Sequence, residues 1–408
     1  MKRIILLIII ALNASFVGAQ WQNTNFPTIC VTCFATSGSN IFAATDGGGV
    51  YLSNNNGGSW TSVNTGLTNL QVSSLAISGT NIFAGTRGGG IFISNNNGNS
   101  WATVNTGLSN LQVSSFATSG ANIFAGTRGG GVFLSTNTGS SWATVNTGLT
   151  NLYVSSLAIS GTNVFAGGAV GVFLSTNNGG NWSAVDSGLT NKNIMSFGIS
   201  GSNIFAGAGA TYGFDSGIFL STNNGGLWSA VNNGIPSTGD FMGGFAISGS
   251  NILMGIPSIG ASGVFLSTNN GGLWTHADSG LTGLDLRVNT FAISGTTIFA
   301  GVCSNYGAIW KRPLSEITGI EEKSDNISIT LYPNPNNGRM LLNYSLKPND
   351  KATLFIYDIA GKWISTYPLN SSVTQMSIND ELLNNGIYFY QIRVNGRMIQ
   401  SNKLVIIK

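Results

Sequence analysis

The chain has 408 residues, of which 8% are charged, with a formal net charge of +3 and a single His. So sparse a set of basic residues excludes a phosphate-tracking nucleic-acid surface, which needs clustered Lys and Arg. One His and three Cys leave no basis for a His-based triad or a zinc site, and no metal or cofactor is implied.

Residues 1–19 read as an export signal. Lys2 and Arg3 form the basic start and Ile4 to Leu12 the apolar core, and Val17-Gly18-Ala19 is a small-residue cleavage site before Gln20. The core is too short for a stable membrane anchor, and no later apolar run approaches membrane length. No Cys stands directly after the cleavage site, which argues against a lipid anchor.

From Trp21 onward the chain repeats itself. The phrase Ser-x-Asn-x-Gly-x-x-Trp occurs six times, ending at Trp60, Trp101, Trp142, Trp182, Trp228 and Trp274, at intervals of 41, 41, 40, 46 and 46 residues. Such a period marks stacked supersecondary units, each unable to bury its apolar face alone. In the second unit, Val72, Leu75 and Ile77 predict a first strand and Ile82, Phe83 and Ala84 a second. Ile91, Phe92 and Ile93 predict a third, and Trp101 to Val104 a fourth. The intervening Ser78-Gly79-Thr80-Asn81 and Asn96-Asn97-Gly98-Asn99 are turn chemistry, because Gly and Asn tolerate positive φ. Four strands in a unit of about 40 residues describe a propeller blade.

The second-strand phrase occurs seven times, near Phe42, Phe83, Phe124, Phe165, Phe205, Leu253 and Phe299, but the Trp phrase only six. After Gly307-Ala308-Ile309-Trp310-Lys311 the repeat stops. Trp21-Gln22-Asn23-Thr24-Asn25 resembles Trp60-Thr61-Ser62-Val63-Asn64 and supplies the missing strand. The expectation is an all-β protein: a seven-bladed β-propeller over residues 20–315, closed by an N-terminal strand and followed by a small β-sandwich domain.

The Trp phrase resembles the Asp-box (BNR) repeat of sialidase-like propellers, with Asn55, Asn96, Asn137, Asn177, Asn223 and Asn269 in place of each Asp. The resemblance implies a structural hairpin between third and fourth strands, and Asn can make the same turn-closing hydrogen bonds without the charge. These Asn and the six Trp are therefore expected to be structural and not ligands. The resemblance also implies that ligands bind on the opposite face, which carries the second-to-third-strand connections and the links between blades. Those connections are short in blades one to three, at Thr45-Asp46-Gly47, Thr86-Arg87-Gly88 and Thr127-Arg128-Gly129. They lengthen in blades five to seven, and so does the link entering blade six. Tyr212, Phe214, Asp215, Asp240, Phe241 and Tyr306 are the expected binding patch, with Asp46, Arg87 and Arg128 across the rim. Aromatic rings with a few carboxylates suit sugars. Repeat duplication explains the matched Arg87 and Arg128 as well as a paired carboxylate grip does.

Sialidase chemistry is not recognisable. From Trp21 to Ser315 there are six basic residues and six Asp but no Glu to activate a Tyr nucleophile, and the Arg-Ile-Pro start motif is missing. A glycoside hydrolase acting through Asp215 and Asp240 stands as the alternative, and a structural surface protein without ligand as another. His276 is expected to be an exposed residue of an outer strand. In an exported chain, Cys303 of blade seven is expected to pair with Cys30 or Cys33 at the start of blade one, leaving one thiol.

Composition changes after Leu314. Residues 316–325 read as an acidic linker, and residues 326–408 carry eight Lys and Arg against four Asp and Glu. This tail contains Leu331-Tyr332-Pro333-Asn334-Pro335 with Gly338, then Ile356-Tyr357-Asp358 with Gly361-Lys362. Leu383-Asn384-Asn385-Gly386-Ile387-Tyr388 follows, and then the terminal Lys403-Leu404-Val405-Ile406-Ile407-Lys408. In these landmarks it is similar to the type A sorting domain of the type IX secretion system of Bacteroidetes. The resemblance implies a partner in the outer-membrane translocon and a passenger that is secreted or attached to the cell surface. The sequence as a whole reads as a monomeric binding or adhesion module for a glycan or a protein.

Overall fold

The computed structural model describes residues 20–210, 216–235, 243–257, 263–281, 287–303, 307–318, 330–346, 348, 350–358, 362–394 and 397–408. The chain divides into two compact units, residues 1–321 and 322–408.

The first unit is a β-propeller of seven four-stranded antiparallel sheets. Blade one consists of Val31–Ser37, Asn40–Thr45, Gly49–Ser53 and Thr61–Ser62, and blade two of Val72–Ser78, Asn81–Thr86, Gly90–Ser94 and Ala102–Thr103. The innermost strands pack against one another around the ring, and Val31–Ser37 meets Val288–Ser294 to close it. Blade seven is composite: Val288–Ser294, Thr297–Val302 and Ala308–Pro313 are completed by Gln22–Asn23, with Gln22 opposite Lys311 and Asn23 opposite Trp310. An N-terminal strand thus covers what would otherwise be an open sheet edge.

The core lies between blades. Phe42 of blade one packs with Leu75, Ile82 and Trp101 of blade two, and Phe83 of blade two packs with Ile123, Phe133 and Trp142 of blade three. Second strands are covered on both faces, so Ile41, Phe42, Ala43 and Ala44 are all fully buried. Each such Phe contributes roughly 1.5–3 kcal/mol on leaving water.

The fourth strands are shorter than expected: blade two has only Ala102–Thr103, without Trp101 or Val104. The reason is the role of the Trp. The Trp101 backbone N–H donates to Thr65 O at 2.8 Å and its indole Nε1–H to Val63 O at 2.7 Å, both in blade one. Trp101 therefore stitches its blade to the preceding one. Trp142, Trp182, Trp228 and Trp274 donate likewise to Val104, Val145, Val185 and Val231. Trp21 does the same for blade seven, donating to Ala277 O at 2.8 Å. Gly66 faces this stitch: its φ is +82°, and an added Cβ would lie 2.2 Å from Trp101 O. Trp60 differs, because the composite blade before it offers Thr24 where other blades have Val. It donates to Thr24 Oγ1 at 3.1 Å and packs edge-on against Phe26.

The Asn of each phrase closes the turn before the Trp. Asn96 Oδ1 accepts the Ser100 N–H at 3.0 Å and the Ser94 hydroxyl at 2.9 Å, while Ser94 Oγ accepts the Gly98 N–H at 2.8 Å. Asn97 takes φ 57°, which Asn tolerates. Asn55, Asn137, Asn177, Asn223 and Asn269 accept the matching backbone N–H groups.

The expected linker begins at Glu316, but Ser315–Thr318 form a helical turn whose Ile317 is buried with Trp21 and Trp310. The propeller unit accordingly extends past residue 315.

The second unit is a sandwich. A three-stranded sheet of Thr330–Tyr332, Arg339–Asn343 and Gln375–Asn379 shares one core with a four-stranded sheet. The latter runs in the order Trp363–Leu369, Ala352–Asp358, Gly386–Val394, Arg397–Ile406. Met340, Leu342 and Ile378 from one sheet and Leu354, Ile356, Ile392 and Leu404 from the other fill it. No helix among the described residues is long and apolar enough to cross a membrane.

Candidate functional site

The second-to-third-strand connections and the links between blades lie together on one face of the propeller. In blade one, Thr45 Oγ1 donates to Gly49 O at 2.8 Å and accepts the Gly48 N–H at 3.1 Å, so the connection is a tight loop. Gly47 completes it with φ +107°. The Gly47 and Gly49 N–H groups then both donate to Leu70 O, in the link to blade two. Thr86 and Thr127 repeat the arrangement, holding the links that carry Leu111 and Leu152. The loops grip the backbone of each link, and Leu70, Leu111 and Leu152 are left exposed, one per blade.

Asp46, Arg87 and Arg128 occupy equivalent places. Each forms a β-bridge with the link into the next blade: Asp46 with Gln71, Arg87 with Gln112, Arg128 with Tyr153. Arg87 Nη1 also reaches back to Asp46 Oδ2 at 2.9 Å. This surface pair is worth at most about 1 kcal/mol. Arg128 has no such partner among the described residues, because the equivalent residue one blade back is Arg87. The pattern therefore leaves one exposed guanidinium beside an exposed tyrosine.

Sequence reasoning missed the neighbours of Arg128. Tyr153 stands where the two preceding links have Gln71 and Gln112, and it is 47% exposed. Blade four has one residue fewer in its connection, which is why one interval between Trp phrases is 40 instead of 41. The shortened Gly168 to Gly171 connection leaves a dent of about 10 Å³ lined by Leu149, Tyr153, Val154, Val170 and Phe173. Val170 is exposed at its mouth. Both signals, a Gln-to-Tyr change and a deletion, stand in the aligned repeats.

The expected patch residues Tyr212, Phe214, Asp215, Asp240, Phe241 and Tyr306 lie outside the described residues. The three described propeller Asp sit in different blades. Asp46 pairs with Arg87, Asp186 with Lys192 at 2.6 Å, and Asp278 with His276 at 3.2 Å. His276 is exposed in Thr275–His276. Among the described residues no three His, Cys, Asp or Glu converge as metal ligands. Arg312 is buried on its strand, with Glu316 Oε2 3.4 Å away.

The structure joins Cys30 to Cys303 by a disulfide and leaves Cys33 a free thiol. Burial pushes that thiol up to about 12, against smaller lowering effects of hydrogen bonds from the Leu75 backbone and the Thr32 side chain.

In the tail unit, Asn334 uses its side chain like a strand: Nδ2 donates to Lys403 O and Oδ1 accepts the Val405 N–H, both at 2.8 Å. Asn336 continues the pairing with its backbone, donating to Val405 O and accepting the Ile407 N–H. The Pro-Asn-Pro segment therefore clamps the outer edge of the terminal strand.

Comparison with known proteins agrees with this geometry. Residues 330–408 match the model of the secretion system C-terminal sorting domain. This match indicates export by type IX secretion, with the chain secreted or attached to the cell surface. No curated protein sequence matches the chain. Among solved structures it is similar to the GH74 xyloglucanase of Xanthomonas campestris, at 16% identity and TM-score 0.56 over 80% of this chain and 60% of that one. It is also similar to the extracellular domain of a hybrid two-component system of B. thetaiotaomicron, at 16% identity and TM-score 0.59 over 80% of this chain and 45% of that one. A third is YCF48 from Cyanidioschyzon merolae, at 13% identity and TM-score 0.54 over 73% of this chain and 99% of that one. The chain thus spans less than two thirds of the first two, and identities this low speak to fold alone.

Proposed function

We propose that the propeller is an extracellular binding or adhesion module for a glycan or protein ligand, delivered by its sorting domain. The observation that carries this reading is the break in the repeat at blades three and four. There the loop face presents Arg128, unpaired among the described residues, beside exposed Tyr153 and Val170, where the first three blades are otherwise regular. Function concentrates on loops held by a rigid frame. The longer loops of blades five to seven would extend the surface through Tyr212, Phe214, Asp215, Asp240, Phe241 and Tyr306.

Binding is favoured over hydrolysis by the carboxylates. The propeller blades contain no Glu, and the described Asp are each engaged in their own blade region, Asp46 by Arg87, Asp186 by Lys192 and Asp278 by the His276 ring. A glycosidase needs two carboxyl groups flanking one bond.

The test is a glycan-array and surface-protein binding screen of the mature chain. It is run beside Arg128→Ala/Tyr153→Ala and Phe214→Ala/Phe241→Ala. Binding lost in either double variant, with the melting transition unchanged, supports the reading. Binding that survives in both removes the loop face as the site. Sugar release by the wild-type protein would replace this reading with the hydrolase.

A further inference from the structure

The outward face of the four-stranded sheet in the tail unit carries an aromatic row. Register places Trp363 opposite Tyr357, Tyr357 opposite Phe389, and Phe389 opposite Lys403, so these four residues cross the sheet side by side. Trp363 is 56% and Phe389 43% exposed, and Ile387 beside them is exposed as well. Phe355 stacks on Tyr357 with centroids 6.3 Å apart, and the Arg393 guanidinium lies 5.3 Å above the Phe355 ring. The opposite face of the same strands holds Leu354, Ile356, Ile392 and Leu404 in the core. A sheet with one face in water ordinarily alternates apolar inside and polar outside. Here the outward face also carries a run of large apolar side chains among its polar ones, and contiguous exposed apolar surface marks an interaction site.

The rim indicates the partner. Lys403 and Arg393 border the row, and exposed Lys362 adjoins Trp363. Residues 326–408 carry eight cations against four acids, and one of those acids, Asp380, is buried. The terminal strand's outer edge is already occupied by Asn334 and Asn336, so strand addition at residues 403–407 is blocked.

We infer that this aromatic face is the surface by which the secretion machinery holds the chain. Its partner is a protein surface apolar at the centre and acidic at the rim. The inference rests on the sorting reading of the tail and adds to it the residues that are touched.

The experiment expresses the full chain in a bacterium with type IX secretion and measures its partition between periplasm and cell surface plus medium. Trp363→Ala/Phe389→Ala and Arg393→Glu/Lys403→Glu are compared with Leu382→Ala, an exposed apolar residue outside this sheet, and with deletion of 330–408. Expected is a drop of at least tenfold in exported protein for both face variants, with protease-resistant protein accumulating in the periplasm and Leu382→Ala unaffected. Normal export of both face variants, with the deletion blocked, overturns the inference while the sorting reading stands. Normal export of the deletion overturns the sorting reading itself. If the aromatic variant is degraded, the folded charge variant decides by the same criterion. Wild-type export combined with lost polysaccharide binding would make the face a glycan platform and also overturns the inference.

Discussion

Cys30 and Cys303 are bonded at the place in the ring where Gln71 and Asp46 form a β-bridge. Cys303 follows Val302 as Asp46 follows Thr45, and Cys30 precedes Val31 as Gln71 precedes Val72. At the seam between blades seven and one, the covalent bond takes the position of the hydrogen-bonded bridge between earlier blades. The two half-cystines are 273 residues apart, so the bond closes nearly the whole propeller into a loop.

Cutting this bond is expected to destabilise the propeller by about 2–5 kcal/mol. Cys303→Ser should lower the thermal midpoint, and reductant should bring wild type down to the variant's value. Equal midpoints for wild type, reduced wild type and Cys303→Ser would show that the strand Gln22–Asn23 closes the ring unaided.

Cys33 should be inert while the protein is folded. Its thiol is raised from 9.0 to about 12, first by burial. At pH 8, iodoacetamide should leave Cys33 unmodified in native protein and alkylate it after denaturation. The sign for stability follows from proton counting. Between pH 9 and 12 the folded chain retains a proton that the unfolded chain has lost, so this contribution is fully present below 9 and is lost as pH rises towards 12. A Cys33→Ala variant should show a flatter decline over that window in chemical denaturation. Identical slopes would contradict the assignment.

The Asn and Trp of the repeated phrase should separate by magnitude. Asn96→Ala removes acceptors for Ser100 N–H and the Ser94 hydroxyl in an exposed turn, for a loss of about 0.5–1.5 kcal/mol. Asn96→Asp keeps the acceptor and should be near neutral. Trp101→Ala empties the space between two blades and should lose about 3–5 kcal/mol. Urea denaturation of the three variants checks the order, and an Asn96→Ala loss as large as that of Trp101→Ala would make the turn more than a local device.

How much of this was legible depended on whether the signal was repeated. The turn role of Asn55 through Asn269 follows from a phrase that occurs six times, and the seven blades and composite closure from a second-strand phrase that occurs seven times, because every copy meets the same neighbours. The inter-blade stitch by Trp Nε1 was not legible, since the acceptor is a backbone carbonyl and carries no residue identity. Nor did loop length alone single out Tyr153. Its signal is a substitution within a short link, which loop length does not register. Arg128 stands out in the sequence, but its lack of a partner among the described residues depends on Arg87 reaching back to Asp46, which no residue type announces.

The clamp on the terminal strand yields the last prediction. Asn334 contributes two hydrogen bonds, to Lys403 O and from Val405 N–H, and among the described residues nothing else on that edge pairs with those groups. Asn334→Ala should therefore loosen the strand before it unfolds the sandwich, since Leu404 and Ile406 remain buried in the core. Hydrogen exchange at Val405 and Ile407 should accelerate by about tenfold, corresponding to roughly 1.4 kcal/mol for a pair of partly exposed bonds. Exchange at Leu354 and Ile392, deep in the same core, should change far less. Uniform acceleration across the tail unit would mean instead that the clamp stabilises the sandwich globally and that the terminal strand has no separate opening.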